Sequence, residues 1–150
     1  MIRGGMSSPL GPLRLTARDG AILALDWAEA APSEDALIAE AVSQLTAYLE
    51  GGLRRFDLPL APEASEAGAK VLDAMLDIPF GETRTYGEIG EAVGLPAQAV
   101  GQLCGANPIP ILIPCHRVLG ASSLGGYSGK GGVETKVRLL RHENAAGLLI

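Results

Sequence analysis

The stretch Asn107-Pro108-Ile109-Pro110-Ile111-Leu112-Ile113-Pro114 constrains this chain more than any other. Proline fixes φ at about −65°, removes a backbone donor and pushes the residue before it toward extended conformations. Prolines at positions 108, 110 and 114 therefore exclude a helix. The other residues after Asn107 are Ile or Leu, which calls for burial. The expected structure is an apolar extended segment that delivers Cys115 and His116 to a fixed place.

On either side of it the pattern is helical. Ala67 to Leu76 reads as a helix with Val71, Leu72 and Met75 on its apolar side, broken at Ile78-Pro79-Phe80-Gly81. Thr85 caps a short helix from Tyr86 to Val93, with Glu88 placed three residues later as a capping box requires. Gly94-Leu95-Pro96 makes a tight turn, and Ala97 to Gly105 follows as another helix. Two short helices joined this way fit a helix-turn-helix, although any small helical hairpin carries the same pattern. After the proline-rich segment a Gly-rich loop, Gly120 to Gly132, leads into a last helix from Val133 to about His142.

Residues 1–62 read as a separate α+β unit. Ser8 to Ala17 ends at Asp19-Gly20, a hairpin signal, and Ala21 to Trp27 returns as the second strand. Ser33 or Asp35 caps a helix to about Glu50, with Leu37, Ala41, Leu45 and Leu49 at helical spacing, and Gly51-Gly52 stops it. Phe56 to Leu60 is expected as a short edge strand, because Pro59 cannot donate to a ladder. Trp27 and Phe56 read as core anchors. The fold class is thus α+β in two domains, residues 1–62 structural and residues 63–150 mostly helical.

Composition narrows the function. A chain that is 47% hydrophobic and 19% charged buries a core and is not disordered. No apolar run approaches the roughly 20 residues of a membrane helix, and Met1-Ile2-Arg3-Gly4-Gly5 lacks the apolar stretch of a signal peptide, so a cytoplasmic protein without a membrane partner is expected. Cys104 and Cys115 make no disulfide framework, and with His116 and His142 the only histidines, neither a metal nor a cofactor is expected. A net charge of −5 opposes strong non-specific affinity for nucleic acid, yet leaves room for a local DNA-binding face.

The chemistry concentrates at Pro114-Cys115-His116-Arg117. A lone cysteine is most often buried packing, but thiolate is a nucleophile and a neighbouring His or Arg favours it. Adjacent strand residues point to opposite faces, so the chain must turn for His116 to reach Cys115.

The run from Asn107 to Val118 resembles the active-site signature of the O6-alkylguanine-DNA alkyltransferases. Ile78 to Ile89 is similar to that family's lead-in to its helix-turn-helix. Gly126-Tyr127-Ser128-Gly129 resembles its binding loop, and Leu139 to Glu143 its closing helix. The resemblance covers about residues 68–143. It implies a small ribonuclease H-like N-terminal cap on a helical domain, acting as a monomer on duplex DNA through the minor groove. The implied activity is irreversible transfer of an alkyl group from O6 of guanine to Cys115. The resemblance makes Cys115 the acceptor, His116 its base through a water, Glu143 the group that orients His116, Asn107 the brace of the turn and Tyr86 a donor toward the guanine ring. Tyr127, Ser128, Arg117 and the backbone around Val118 would contact DNA or the flipped base, and Ala97, Gln98 and Gly101 would lie on the groove helix.

The sequence departs from the family at two places. An arginine of the second helix usually fills the gap left by the flipped base, and Gln98 stands here; residues 97–106 hold no Lys or Arg. The turn before that helix is also about two residues shorter. Weaker DNA affinity and slower flipping are expected. Arg84, Arg117, Lys130 and Lys136 remain as candidates for phosphate contacts, or as solvated surface charges, with Arg117 as readily structural. Cys104 reads as packing. Two other functions stay open, a non-catalytic lesion sensor and an unrelated Cys hydrolase, although no oxyanion-hole motif supports the latter.

Overall fold

The computed structural model describes residues 1–127, 129 and 131–145. The chain divides into two compact units, Met1–Glu63 and Ala64–Ile150. The first holds a three-stranded antiparallel sheet in the order β1 (Ile2–Met6), β2 (Leu13–Arg18), β3 (Ala21–Asp26), followed by α1 (Ala36–Leu49). Asp19 and Gly20 turn β2 into β3 with φ of 53° and 78°, the pair of positive values that a two-residue type I′ hairpin needs. Asp35, one of the two caps weighed from the sequence, accepts from the Ile38 backbone at the start of α1.

Two expectations for this unit are corrected, and one strand is added. The buried row of α1 is Ile38, Ala41, Leu45 and Tyr48, while Leu37 and Leu49 are only partly buried. The row ends where Tyr48 meets Phe56, with ring centroids 5.2 Å apart. Strand β1 escaped the sequence reading because Gly4-Gly5 is a poor strand former. Both glycines are explained by close packing: a Cβ on Gly4 would lie 2.5 Å from Ile38 Cγ2, and one on Gly5 would strike the Ala30 carbonyl oxygen. Finally, Phe56 to Leu60 forms no strand; its contact with β3 is a single bridge between Ile22 and Leu60.

In the second unit α2 (Glu66–Leu76), capped by Ser65, buries Val71, Leu72 and Met75 as expected. A two-residue parallel ladder pairs β4 (Arg84–Thr85) with β5 (Val118–Leu119). It ties the entry of α3 (Tyr86–Val93) to the chain just beyond Cys115. The Thr85/Glu88 capping box is fully formed at the start of α3. Gly94, at φ 77°, closes α3, and α4 (Ala97–Gly105) packs back on it. Gly90 makes the close approach possible: its carbonyl accepts from Gly94 and Leu95 at 2.8 and 2.9 Å, and a Cβ there would run into the Leu95 carbonyl oxygen.

The proline-rich segment is buried as expected, but it is not extended. Ile113 donates to the Ile109 carbonyl at 2.9 Å, folding the segment into a compact turn. Ile111 lies at φ 72°, a conformation that a β-branched side chain rarely adopts. Asn107 holds the turn from both ends, donating Nδ2 to Ile113 O at 2.9 Å and accepting from Ile109 N at 3.0 Å. The segment then leads to α5 (Val133–His142) through the Gly-rich loop.

Two alanine substitutions separate the steric role of Gly90 from ordinary helix propensity. Gly90→Ala should cost about 1–3 kcal/mol in urea unfolding, as overpacking does. Gly101→Ala, with nothing within 4 Å of its Cβ, should instead be neutral or gain up to about 1 kcal/mol. Equal effects would show that the Gly90 turn tolerates a side chain.

Candidate active site

Pro114 introduces a 3₁₀ turn over Cys115–Arg117. The turn is closed by Arg117 N donating to Pro114 O at 3.0 Å, and Cys115 N donates to Ile113 O at 2.8 Å. This supplies the change of direction that a strand would have denied to Cys115 and His116.

His116 and Glu143 are fully buried side chains, with Nε2 2.7 Å from Oε2. Glu143 caps the C-terminal end of α5 and takes further bonds from three donors. Arg117 grips it bidentately, Nε to Oε1 at 2.8 Å and Nη2 to Oε2 at 3.0 Å. The Gly81 backbone donates to Oε1 at 3.3 Å. Burial pulls the His116 pKa down; the Glu143 contact opposes this, and the charges of Arg117 and Lys136 add to the lowering. His116 is therefore neutral. Its Nε2–H donates to Glu143, an assignment made from the network, and Nδ1 is left as the basic nitrogen.

A cavity of about 430 Å³ opens beside this network, lined by Tyr86, Gly101, Cys104, Gly105, Cys115, Gly126 and Tyr127. The Tyr86 pKa is raised by burial first, then by charge on Cys104 and Cys115, against a backbone hydrogen bond from Gly126. Tyr127 is raised well above the ordinary phenol value by burial and by Cys115. Both phenols therefore hold their protons at neutral pH. Gly125, at φ 71°, lets the loop lie on Tyr86, since a Cβ there would overlap the Tyr86 hydroxyl.

The site residues read from the sequence separate into three groups. Cys115, Tyr86, Tyr127 and Gly101 share the cavity wall, with His116, Glu143 and Asn107 buried in support. Ala97 and Gln98 are exposed on α4. Arg117 and Val118 do not face outward: Arg117 donates Nη1 to Ile78 O at 2.6 Å besides gripping Glu143, so its guanidinium is committed and cannot reach a phosphate. Val118 is fully buried, its N–H donating to Cys115 O and its carbonyl accepting from Lys136. Ser128 and Lys130 lie outside the described residues.

Lys136, read as a surface cation, is also corrected. It is 0% exposed and donates Nζ to Val118 O at 2.6 Å and to Gly126 O at 2.9 Å. The amphipathic spacing of α5 was legible, but nothing local marks a lysine that points inward. Cys104 packs its Sγ 3.5 Å from Met75 Sδ as expected, yet it also forms part of the cavity wall. Burial and the Cys115 charge push its pKa to about 12, against Lys136, so it stays a thiol. Among the described residues no group of three or more His, Cys, Asp or Glu is arranged to hold a metal ion.

A cysteine in a cavity wall, followed by a buried histidine paired with a carboxylate and set in a unit with two short helices joined by a tight turn, is the arrangement expected of a DNA-directed cysteine protein. Residues 66–145 match the DNA binding domain model of 6-O-methylguanine DNA methyltransferase, and residues 1–62 match the ribonuclease-like domain model of the same family. The methylated-DNA–protein-cysteine methyltransferase of Mycobacterium leprae is 45% identical over 149 residues, 92% of this chain and 89% of its own. That of Methanosarcina acetivorans is 48% identical over 109 residues, 71% of this chain and 69% of its own. The crystal structure of Mycobacterium tuberculosis OGT in complex with DNA superposes with a TM-score of 0.85 at 42% identity, covering 94% of this chain and 91% of that one. The chain belongs to the 6-O-methylguanine DNA methyltransferase family.

Two outcomes test the buried network. Glu143→Gln leaves Arg117 without a counter-charge and should cost about 3–5 kcal/mol in urea unfolding. Because the folded His116 pKa lies below its usual 6.5, the unfolded chain binds more protons between that value and the folded one. Stability should be full above about pH 6.5 and fall as pH drops below it, by up to about 1.4 kcal/mol per pH unit. His116→Gln should flatten that slope; an unchanged slope would place the pH dependence elsewhere.

Proposed function

We propose that this protein repairs DNA by direct reversal, moving an alkyl group from O6 of guanine in duplex DNA irreversibly to Cys115. The observation that carries this reading is Cys115 in a cavity wall, followed at once by a neutral His116 whose Nε2 is engaged by Glu143. With Nε2–H donated, Nδ1 is the nitrogen that takes the Cys115 proton, relayed by a water, and Glu143 stabilises the imidazolium that results. The thiolate attacks the alkyl carbon, the new S–C bond forms as the C–O6 bond breaks, and the electron pair leaves with guanine. Tyr86, protonated in the same cavity, donates toward the guanine ring and neutralises the departing base. Asn107 holds the turn that presents Cys115.

The product is a thioether, which has no carbonyl for water to attack, so each molecule acts once. A thiol only 4% exposed reaches O6 only if the nucleotide leaves the base stack. The exposed start of α4, with Ala97 and Gln98, is the face we place in the minor groove, and its small residues permit close approach. Residues 1–62 serve as a structural domain and residues 63–150 as the DNA-binding and transfer domain. Relatives named methylated-DNA–protein-cysteine methyltransferases support transfer over a purely sensing role. So does the complete Cys–His–Glu set. Among the described residues no helix is long and apolar enough to cross a membrane, and we assign the activity to a cytoplasmic monomer.

Incubation with excess duplex carrying O6-methylguanine should add the mass of one methyl group per molecule, mapped to Cys115 and absent in Cys115→Ala. Tight lesion-dependent binding without mass gain would favour the sensor instead. In parallel, Gln98→Arg should bind the duplex about tenfold more tightly and transfer faster, through the stacking cation it restores. Equal affinity and rate would show that Gln98 is no handicap.

A further inference from the structure

Lys136 has no part in the chemistry described so far, although its environment is unusual for a lysine. Fully buried lysines are rare, because a desolvated ammonium is costly unless it is paired or hydrogen-bonded. This one comes from α5, yet its two bonds reach the strand that follows Cys115 and the loop that lines the cavity, at Val118 O and Gly126 O. Its Nζ also stands 5.7 Å from the centroid of the Tyr86 ring, and Tyr86, Gly126 and Cys115 share the cavity wall.

We infer that Lys136 is a positioning residue for alkyl transfer: it clamps the Gly126 loop to the chain just beyond the Cys115 turn and sets a positive charge beside the Tyr86 wall of the cavity that holds the acceptor sulfur. The proposal rests on Cys115 being the acceptor. Among the described residues, the Tyr86 ring of α3 lies beside the ammonium, and the titratable groups coupled to its charge are Cys104 from α4 and Cys115 and His116 from the 3₁₀ turn. Tyr86 and Cys104 have raised pKa values and His116 a lowered one, so at neutral pH all three are uncharged. A thiolate on Cys115 is then the negative group among these four. Burial brings Lys136 down to about 8, with the cysteine charges opposing the fall. The attraction acts on both partners, and the cation favours the thiolate as much as the thiolate favours the cation.

The test needs no DNA, so it stands apart from whether alkyl transfer itself is observed. The rate of Cys115 carbamidomethylation by iodoacetamide, read by mass spectrometry site by site, is followed against pH in the parent, Lys136→Gln and Lys136→Met. Glutamine keeps two N–H donors without the charge, whereas methionine removes both. In each variant the profile should move up by about one pH unit, a roughly tenfold slower reaction on its lower limb with the high-pH plateau kept. A residue that served packing alone would lower the unfolding midpoint and leave the profile where it was, and that result would overturn the proposal. Should neither variant fold, the same coupling is read from the other side. The Nζ resonance of Lys136, titrated in the parent and in Cys115→Ser, should titrate at lower pH once the thiolate is gone, and an unmoved titration would overturn the proposal equally.

Discussion

The carboxylate of Glu143 is the interaction on which the rest of the second unit depends. A buried charge is tolerable only when its partners are close and its lone pairs filled, and here a bidentate guanidinium, an imidazole and a backbone amide fill them. Those donors and the carboxylate itself come from distant parts of the sequence. Gly81 lies in the break after α2, His116 and Arg117 in the 3₁₀ turn, and Glu143 at the end of α5. Arg117 adds the Ile78 carbonyl to the set. One carboxylate thus fixes the position of the turn that carries Cys115.

The division of charge follows from that arrangement. Arg117 neutralises Glu143, so His116 does not have to, and burial is free to keep the imidazole neutral. A protonated His116 in the resting protein would have no lone pair to offer. The arginine therefore serves the chemistry indirectly: it absorbs the carboxylate's charge and leaves the carboxylate's geometry to orient the ring. Lys136 occupies the opposite side of the problem, behind a wall whose described residues include no carboxylate.

Local signals in the sequence were reliable wherever the chain answers to its neighbours. The Asp19-Gly20 hairpin, the Thr85/Glu88 capping box and the limits of α3 and α4 are local facts of backbone sterics and capping, and the structure shows each of them. What failed was set by long-range packing. Strand β1 carries two glycines because the Ala30 backbone and Ile38 come too close for a side chain, and no window around Gly4 contains that information. The proline count ruled out a helix at 107–114 correctly but could not distinguish an extended run from a turn held by Asn107 with Ile111 at positive φ. Lys136 was misread, and Arg117 left open between a structural and a phosphate-facing role, for the same reason: a cation's burial depends on acceptors, Ile78 O and Gly126 O among them, that no spacing rule identifies.

The strained turn and the weak groove face belong to one physical account. Ile111 in the left-handed region costs energy that the surrounding packing must repay, and its neighbours Ile109, Leu112 and Ile113 are at most 2% exposed. The result is a closely packed, internally hydrogen-bonded turn leading to Cys115. A pre-ordered site has little left to lose in entropy on binding. That advantage bears on α4 if it is the groove helix, because it lacks Lys and Arg and carries Gln98 on its exposed start. On the transfer reading, an extruded base is captured chiefly by a cavity already built around Tyr86, Gly126 and Tyr127. On the same reading, weak stacking at Gln98 would slow arrival of the base without loosening the geometry of the reaction that follows.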